Sequence, residues 1–250
     1  MKVGIIGTGA IGSILAEKLS LAGHQVKVTN TRNIEELTKI ATSLGAAPAT
    51  LQDVVKDVDV ITFAIPFKAY NHLPENFLQD VSKDVLIIDT SNYYPQRDGK
   101  LAGLEDKTES EYISETLGRP IVKAFSNILD YTLKHKGKAA WQEGRLAIPI
   151  AGDNEGHKKI AAELVNETGF EAVDGGSLAE SWRQEPGTPA YCSELSAAEL
   201  KQALAAAEKG KAPAIRDYFM DKISGFKKMP SYEALLAFYR SAHAGHVKDV

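Results

Sequence analysis

Three glycines in six residues, Gly7-Thr8-Gly9-Ala10-Ile11-Gly12, stand between an apolar run and a helical repeat. Few folds make use of such a junction. Val3–Ile6 reads as a buried strand. After the glycines, Ile11, Ile14, Leu15, Leu19 and Ala22 recur at helical spacing, and Gly23 is placed to stop that helix. A strand that turns through GxGxxG into a helix has the context a dinucleotide site requires. Gly7 permits the tight turn, Gly9 lets backbone N–H groups approach a pyrophosphate, and Gly12 allows close helix–strand packing. The helix N-terminus adds partial positive charge beneath the anion. The plain alternative is a tight strand-to-helix turn without a ligand.

The same alternation continues to about residue 175. Val26–Thr29, Asp59–Ile65, Val85–Asp89, Pro120–Ala124, Leu146–Ile150 and Phe170–Val173 read as strands, most of them nearly continuous apolar runs. Such runs belong to a sheet buried on both faces by crossover helices. The pattern predicts a Rossmann-type doubly wound α/β fold with a mainly parallel sheet. Asn33 is placed to cap a helix through Leu44, with Glu35 and Glu36 in its first turn. From Ser177 the pattern turns helical. Ser196–Glu199 forms a capping box, and Ile215, Tyr218, Phe219 and Ile223, then Tyr232, Leu235, Leu236 and Tyr239, give two further stripes. The expected division is a nucleotide-binding domain over 1–176 and a helical cap over 177–250 packed on it, one use of which is a homodimer contact. The tail from His243 to Val250 reads as frayed.

The second strand selects the nucleotide. An NAD site places Asp or Glu at its end to hold the ribose hydroxyls. Here the residues are Asn30-Thr31-Arg32-Asn33. No carboxylate in that run repels a 2′-phosphate, Arg32 can pair with it, and Thr31 and Asn33 can donate to it. The expected cofactor is NADP(H). Ligands in open α/β sheets sit beyond the carboxyl ends of the strands. That places Ala64-Ile65-Pro66 and Ala124 at the cofactor, and Asn92, Tyr93, Ser126, Asn127, Gly175 and Gly176 as candidates at the substrate. Turn stabilisation and packing are the competing uses of the asparagines and of Tyr93 and Tyr94. Lys123 ends a core strand, where it serves as a proton donor, an ion-pair partner or a surface group.

Taken together, these segments resemble a known family. Gly7–Gly12, Asn30–Asn33, Ala64–Pro66, Asp89–Asn92, Ile121–Asn127 and Asp174–Leu178 are similar to the coenzyme F-420-dependent NADP oxidoreductases and the related reductase domain of the STEAP metalloreductases. The resemblance spans about residues 1–180. It implies hydride transfer between NADPH and a deazaflavin or flavin ring, a step that needs alignment more than an acid or base from the protein. It also implies that Ser126 and Asn127 border the second ring and that Asp174–Ser177 approach the nicotinamide. The segment Ser181–Cys192 departs from the family's usual continuation. Two alternatives stay open: an NADPH-dependent carbonyl or imine reductase of the β-hydroxyacid dehydrogenase type, and an NADPH redox sensor that does not turn over.

Composition narrows the partners. The 250 residues carry 29 Lys and Arg against 33 Asp and Glu, a formal net charge of −4. A mildly acidic chain without a basic run is ill-suited to a nucleic-acid backbone. Lys158-Lys159 and Lys227-Lys228 read as solvated surface pairs. The lone Cys192 fits a reducing compartment. The Met1–Gly7 start lacks a leader's apolar core, and no run approaches the length of a bilayer span. The expectation is a cytoplasmic enzyme acting on a small-molecule hydride acceptor or donor, without nucleic acid, membrane or metal.

Overall fold

The computed structural model describes residues 1–226, 228 and 230–241. The chain opens with β1 (Lys2–Ile6), α1 (Ala10–Leu21), β2 (Gln25–Thr29), α2 (Ile34–Ser43), β3 (Ala47–Pro48) and β4 (Val60–Phe63). A 3₁₀ turn over Phe67–His72 leads to β5 (Leu86–Asp89), α3 (Pro95–Asp98), α4 (Glu109–Leu117) and β6 (Val122–Lys123). These six strands form one parallel sheet in the order β3-β2-β1-β4-β5-β6. The order reverses between β1 and β4, which opens the crevice where doubly wound sheets bind ligands.

The strand runs are continuously apolar because each strand serves two cores. Val3, Ile5, Val26, Val28, Val60, Leu86 and Ile88 face one side, where Leu15 and Leu19 of α1 cover them. Ile6, Ile61, Phe63 and Ile87 face the other, packed against Phe67, Tyr70 and Ile113. Alternate residues point to opposite faces, so a sheet covered twice needs apolar residues at both parities. Each such buried side chain contributes about 1.5–3 kcal/mol. The two-residue β3 escapes a periodicity reading; its Pro48 sits at the sheet edge, where a missing N–H costs no ladder bond.

The remainder comprises α5 (Asp130–His135), β7 (Ala147–Ile150), α6 (Glu155–Glu167), β8 (Glu171–Asp174), a 3₁₀ turn over Leu178–Gln184, α7 (Ala197–Ala206), α8 (Ala212–Ser224) and α9 (Tyr232–Ser241). One expectation changes here. The runs 146–150 and 170–173 do not extend the main sheet. They pair in parallel with each other as a second, two-stranded sheet, joined to the first by an antiparallel bridge between Lys123 and Ala151. An apolar run specifies burial but not its partner strand. Helix α7 packs Leu200 and Leu204 on this small sheet, and the Ser196–Glu199 capping box forms as its sequence predicts. His243, His246 and the rest of the tail, with Lys227, lie outside the described residues. Among the described residues no helix is long and apolar enough to cross a membrane.

Candidate functional site

The glycine loop sits at the carboxyl end of β1, and its three glycines differ in what demands them. Gly7 has φ +105, and a Cβ there would lie 2.2 Å from Ala64 O. A Cβ on Gly12 would lie 2.0 Å from Gly7 O. Both are required by the protein's own backbone. Gly9 has φ −72, ordinary extended backbone, and a Cβ there would meet nothing within 4 Å. Its side chain is absent from a space that the protein does not fill. Gly9 is also the N-cap of α1, which has neither a side-chain cap nor an acid in its first turn. The first N–H groups of that helix and its positive end therefore face the open space without a competing anion. This arrangement fits a pyrophosphate.

The end of β2 braces the loop and presents the guanidinium. Asn30 Nδ2 donates to Thr8 Oγ1 at 2.6 Å, and its Oδ1 accepts from Arg32 N at 2.8 Å. Asn30 is thus spent on shaping the turn. Asn33 caps α2 by accepting from Glu36 N at 2.9 Å, which leaves its amide N–H₂ as a donor. Arg32 is exposed, its side chain 63% accessible, and its one ion pair among the described residues is a 3.6 Å contact with Glu36, which is also exposed. A surface pair of this kind holds a side chain weakly.

Of the candidate substrate residues, Asn92 and Tyr93 follow β5, Ser126 and Asn127 follow β6, and Gly175 and Gly176 follow β8. Asn92 Nδ2 donates to Ser126 O at 2.8 Å, and Asn127 Nδ2 donates to Ala190 O at 3.2 Å. Asn92 Oδ1, Ser126 Oγ and Asn127 Oδ1 are buried without a partner. Buried polar atoms are normally paired, so these three keep hydrogen-bonding capacity that the folded chain does not use. Ala124 is fully buried and its N–H donates to Asp89 O, which places it beneath the site rather than on its surface. Tyr93 is buried against Phe67, with its hydroxyl on Gly99 O. Gly175 N donates to Ile150 O, and Gly176 N to Asp174 Oδ1. The Ser181–Cys192 segment closes on this region, with Cys192 N donating to Asn127 O.

Composition concealed the charges behind these strand ends. Lys123 is 0% exposed, and its Nζ donates to Asp89 Oδ2 at 3.2 Å and to Ser91 O. It lies 3.8 Å from Glu109 Oε2. Burial, the largest influence, pulls the Lys123 ammonium down, but Asp89, Glu109 and Glu185 outweigh it and hold it above its ordinary value. Burial raises the carboxyls of Glu109 and Glu185 above theirs. Tyr70 donates to Asp89 Oδ1 at 2.6 Å. Lys123 is therefore an internal ion-pair partner, not a surface group. Lys158, expected on the solvated surface, is also buried and bridges Glu155 and Asp174. Sequence reasoning passed over Glu109, Glu185 and Arg216. The one available signal was the capping box Thr108–Glu111, which sets Glu109 at the start of α4.

Comparison with known proteins identifies relatives of the chain and of its fold. The family described as NADP oxidoreductase, coenzyme F420-dependent, matches residues 2–93. A protein named YjhV of Escherichia coli is 39% identical over 98 residues, covering 39% of this chain and 72% of that one. The metalloreductase STEAP3 of Rattus norvegicus is 30% identical over 182 residues, covering 72% of this chain but only 35% of its own length. Among solved structures, protein SMa0349 of Sinorhizobium meliloti is 27% identical with a TM-score of 0.64, covering 78% of this chain and 95% of that one. The glycine loop, the parallel sheet around β1 and the family match place residues 2–93 in the family of coenzyme F420-dependent NADP oxidoreductases, and the chain is a relative of YjhV.

Proposed function

We propose that the protein transfers hydride between NADPH and a planar deazaflavin or flavin ring. The observation that carries the nucleotide half is the unfilled space over Gly9, a glycine that its own backbone does not need. When bound there, the nicotinamide nucleotide supplies the hydride. The uncapped start of α1 holds the pyrophosphate, and Arg32 swings from Glu36 onto the 2′-phosphate. Asn33 donates its free amide to the same group.

The acceptor half rests on the strand ends. Asn92 Oδ1, Ser126 Oγ and Asn127 Oδ1 offer two acceptors and a hydroxyl from rigid positions. That set suits a ring edge bearing an N–H beside a carbonyl, as the pyrimidine part of a deazaflavin or flavin does. The Ser181–Cys192 segment excludes water from behind these groups, which favours direct hydride passage over side reactions. The test follows nicotinamide absorbance with NADPH or NADH and a panel of F-420, FMN, FAD, small keto acids and imines. The expected result is oxidation by F-420 or a flavin, faster with NADPH. Turnover confined to keto acids or imines would move the assignment to a carbonyl or imine reductase.

A further inference from the structure

The backbone just after β6 takes a conformation that its residue type does not favour. Phe125 has φ +59, in the left-handed region, which a bulky residue rarely adopts. A residue stays there only where its surroundings impose it. Before Phe125, the N–H and C=O of Lys123 are both bonded to Ala151, and Ala124 N donates to Asp89 O. The Phe125 ring is buried in the core on the α1 side of the sheet. After it, Ser126 O accepts from Asn92 Nδ2. Asn127 is tied twice, its Nδ2 donating to Ala190 O and its O accepting from Cys192 N. The strained turn therefore fixes where Ser126 and Asn127 sit.

The end of β5 is held from the same place. Asp89 is fully buried, and its Oδ1 accepts from Ser91 N at 2.9 Å, Ser91 Oγ at 2.7 Å and Tyr70 OH at 2.6 Å. Its Oδ2 accepts from Lys123 Nζ at 3.2 Å, and the same ammonium donates to Ser91 O. The N–H, C=O and hydroxyl of Ser91 are thus all bonded to the Asp89–Lys123 pair. The next residue, Asn92, gives its O to Arg97 and its Nδ2 to Ser126 O. Continuous bonding runs from the ion pair through Ser91 to Asn92 and across to Ser126. Stability alone does not call for buried charges here, since apolar residues of similar size commonly serve it as well. An apolar filling would instead leave the three polar groups of Ser91 unmatched, whereas a carboxylate beside an ammonium meets donors and acceptor together.

We infer that Asp89 and Lys123 are positioning residues: through Ser91 and the left-handed turn at Phe125 they set Asn92 and Ser126 in the register that receives the hydride acceptor. Neither belongs to the glycine loop or to the turn after β2, so nucleotide affinity does not depend on them. The assignment rests on the hydride-transfer reading of the site.

The test compares D89N/K123M with K123M. The double variant removes both charges and keeps side chains of similar size, whereas K123M leaves the Asp89 carboxylate unpaired. Burial already favours the protonated form of Glu109, the neighbour 3.8 Å from Lys123. Each protein is followed by thermal melts, by NADPH calorimetry and by steady-state kinetics with F-420, FMN and FAD. Fluorescence titration of the same acceptors into the NADP⁺-loaded chain adds a readout without turnover. The double variant should melt closer to the unsubstituted protein than K123M does and bind NADPH as before. It should bind its acceptor roughly 10–100-fold more weakly, the scale of a small misplacement of positioned groups, with acceptor KM raised and NADPH KM unchanged. A merely structural pair would lower the active fraction, and so kcat, while leaving acceptor affinity and both KM values alone; that result overturns the proposal. A double variant that melts as low as K123M, or that loses NADPH affinity to the same degree as acceptor affinity, overturns it too. An unsubstituted protein that neither binds nor reduces any of these acceptors defeats the hydride-transfer reading itself, and the positioning role with it.

Discussion

Gly9→Val separates a glycine kept for a ligand from one kept for the fold. In the folded chain the new Cβ meets nothing within 4 Å, and φ −72 suits any residue. Losing glycine's freedom in the unfolded chain stabilises by about 0.4–1 kcal/mol. Valine is a poorer N-cap than glycine, an opposing effect of similar size, roughly 1 kcal/mol at most. The net change is within about 1 kcal/mol, or roughly 2–4 °C in Tm for a chain of this length. Binding behaves otherwise. The branched side chain takes the space that the pyrophosphate needs at the start of α1. Losing two charged hydrogen bonds there costs about 3–6 kcal/mol, a factor of roughly 10²–10⁴. Gly12→Ala is the counterpart. Its Cβ would sit 2.0 Å from Gly7 O and 3.0 Å from the Ala64 Cβ, so backbone must retreat by more than an ångström. That variant should lose about 1–3 kcal/mol or more of stability. Thermal melts and NADPH calorimetry on both variants decide the matter. A Gly9→Val protein that binds NADPH normally, or that melts as far down as Gly12→Ala, would refute the reasoning.

Three further outcomes follow from the charges. Arg32→Ala loses a phosphate contact of about 1.5–3 kcal/mol and a Glu36 pair of only ~0.3–0.5 kcal/mol, so NADPH affinity should fall by roughly 5–100-fold with NADH nearly unaffected. Equal losses in the two titrations would mark Arg32 as structural. Lys123→Met strands the buried Asp89 carboxyl and should cost about 3–5 kcal/mol in urea unfolding; a loss below about 1 kcal/mol would contradict the ion-pair assignment. Burial raises the Glu109 carboxyl, so the folded chain holds that proton more tightly than the unfolded one. Its stabilising contribution is complete below the ordinary glutamic acid value of about 4.3 and fades as pH rises through the folded value. E109Q should flatten that part of a plot of urea midpoint against pH, and an unaltered slope would count against it.

The β1–α1–β2 unit was readable because its signals are local. The glycine spacing, the helical repeat from Ile11 and the Asn33 cap each lie within one turn or one strand of the structure they specify. The two-sided burial of the sheet was readable for a similar reason, since apolar residues at both parities have few other uses. Lys123 shows where this stops. Its residue type points to solvent, and its partners Asp89, Glu109 and Glu185 lie far along the chain in either direction. Lys158 misleads in the same way, through Asp174 on β8.

Residue order alone determined the αβ alternation, the glycine turn from β1 into α1 and the cap of α2 at Asn33, because backbone conformation and period act over a few residues. Only the folded chain decided that β7 and β8 form their own sheet, that Gly9 borders empty space while Gly7 and Gly12 border backbone, and that Asp89, Glu109 and Lys123 are buried together. Those facts depend on which distant segments meet, and the cost of burying a charge or a Cβ is set by the neighbours it meets there.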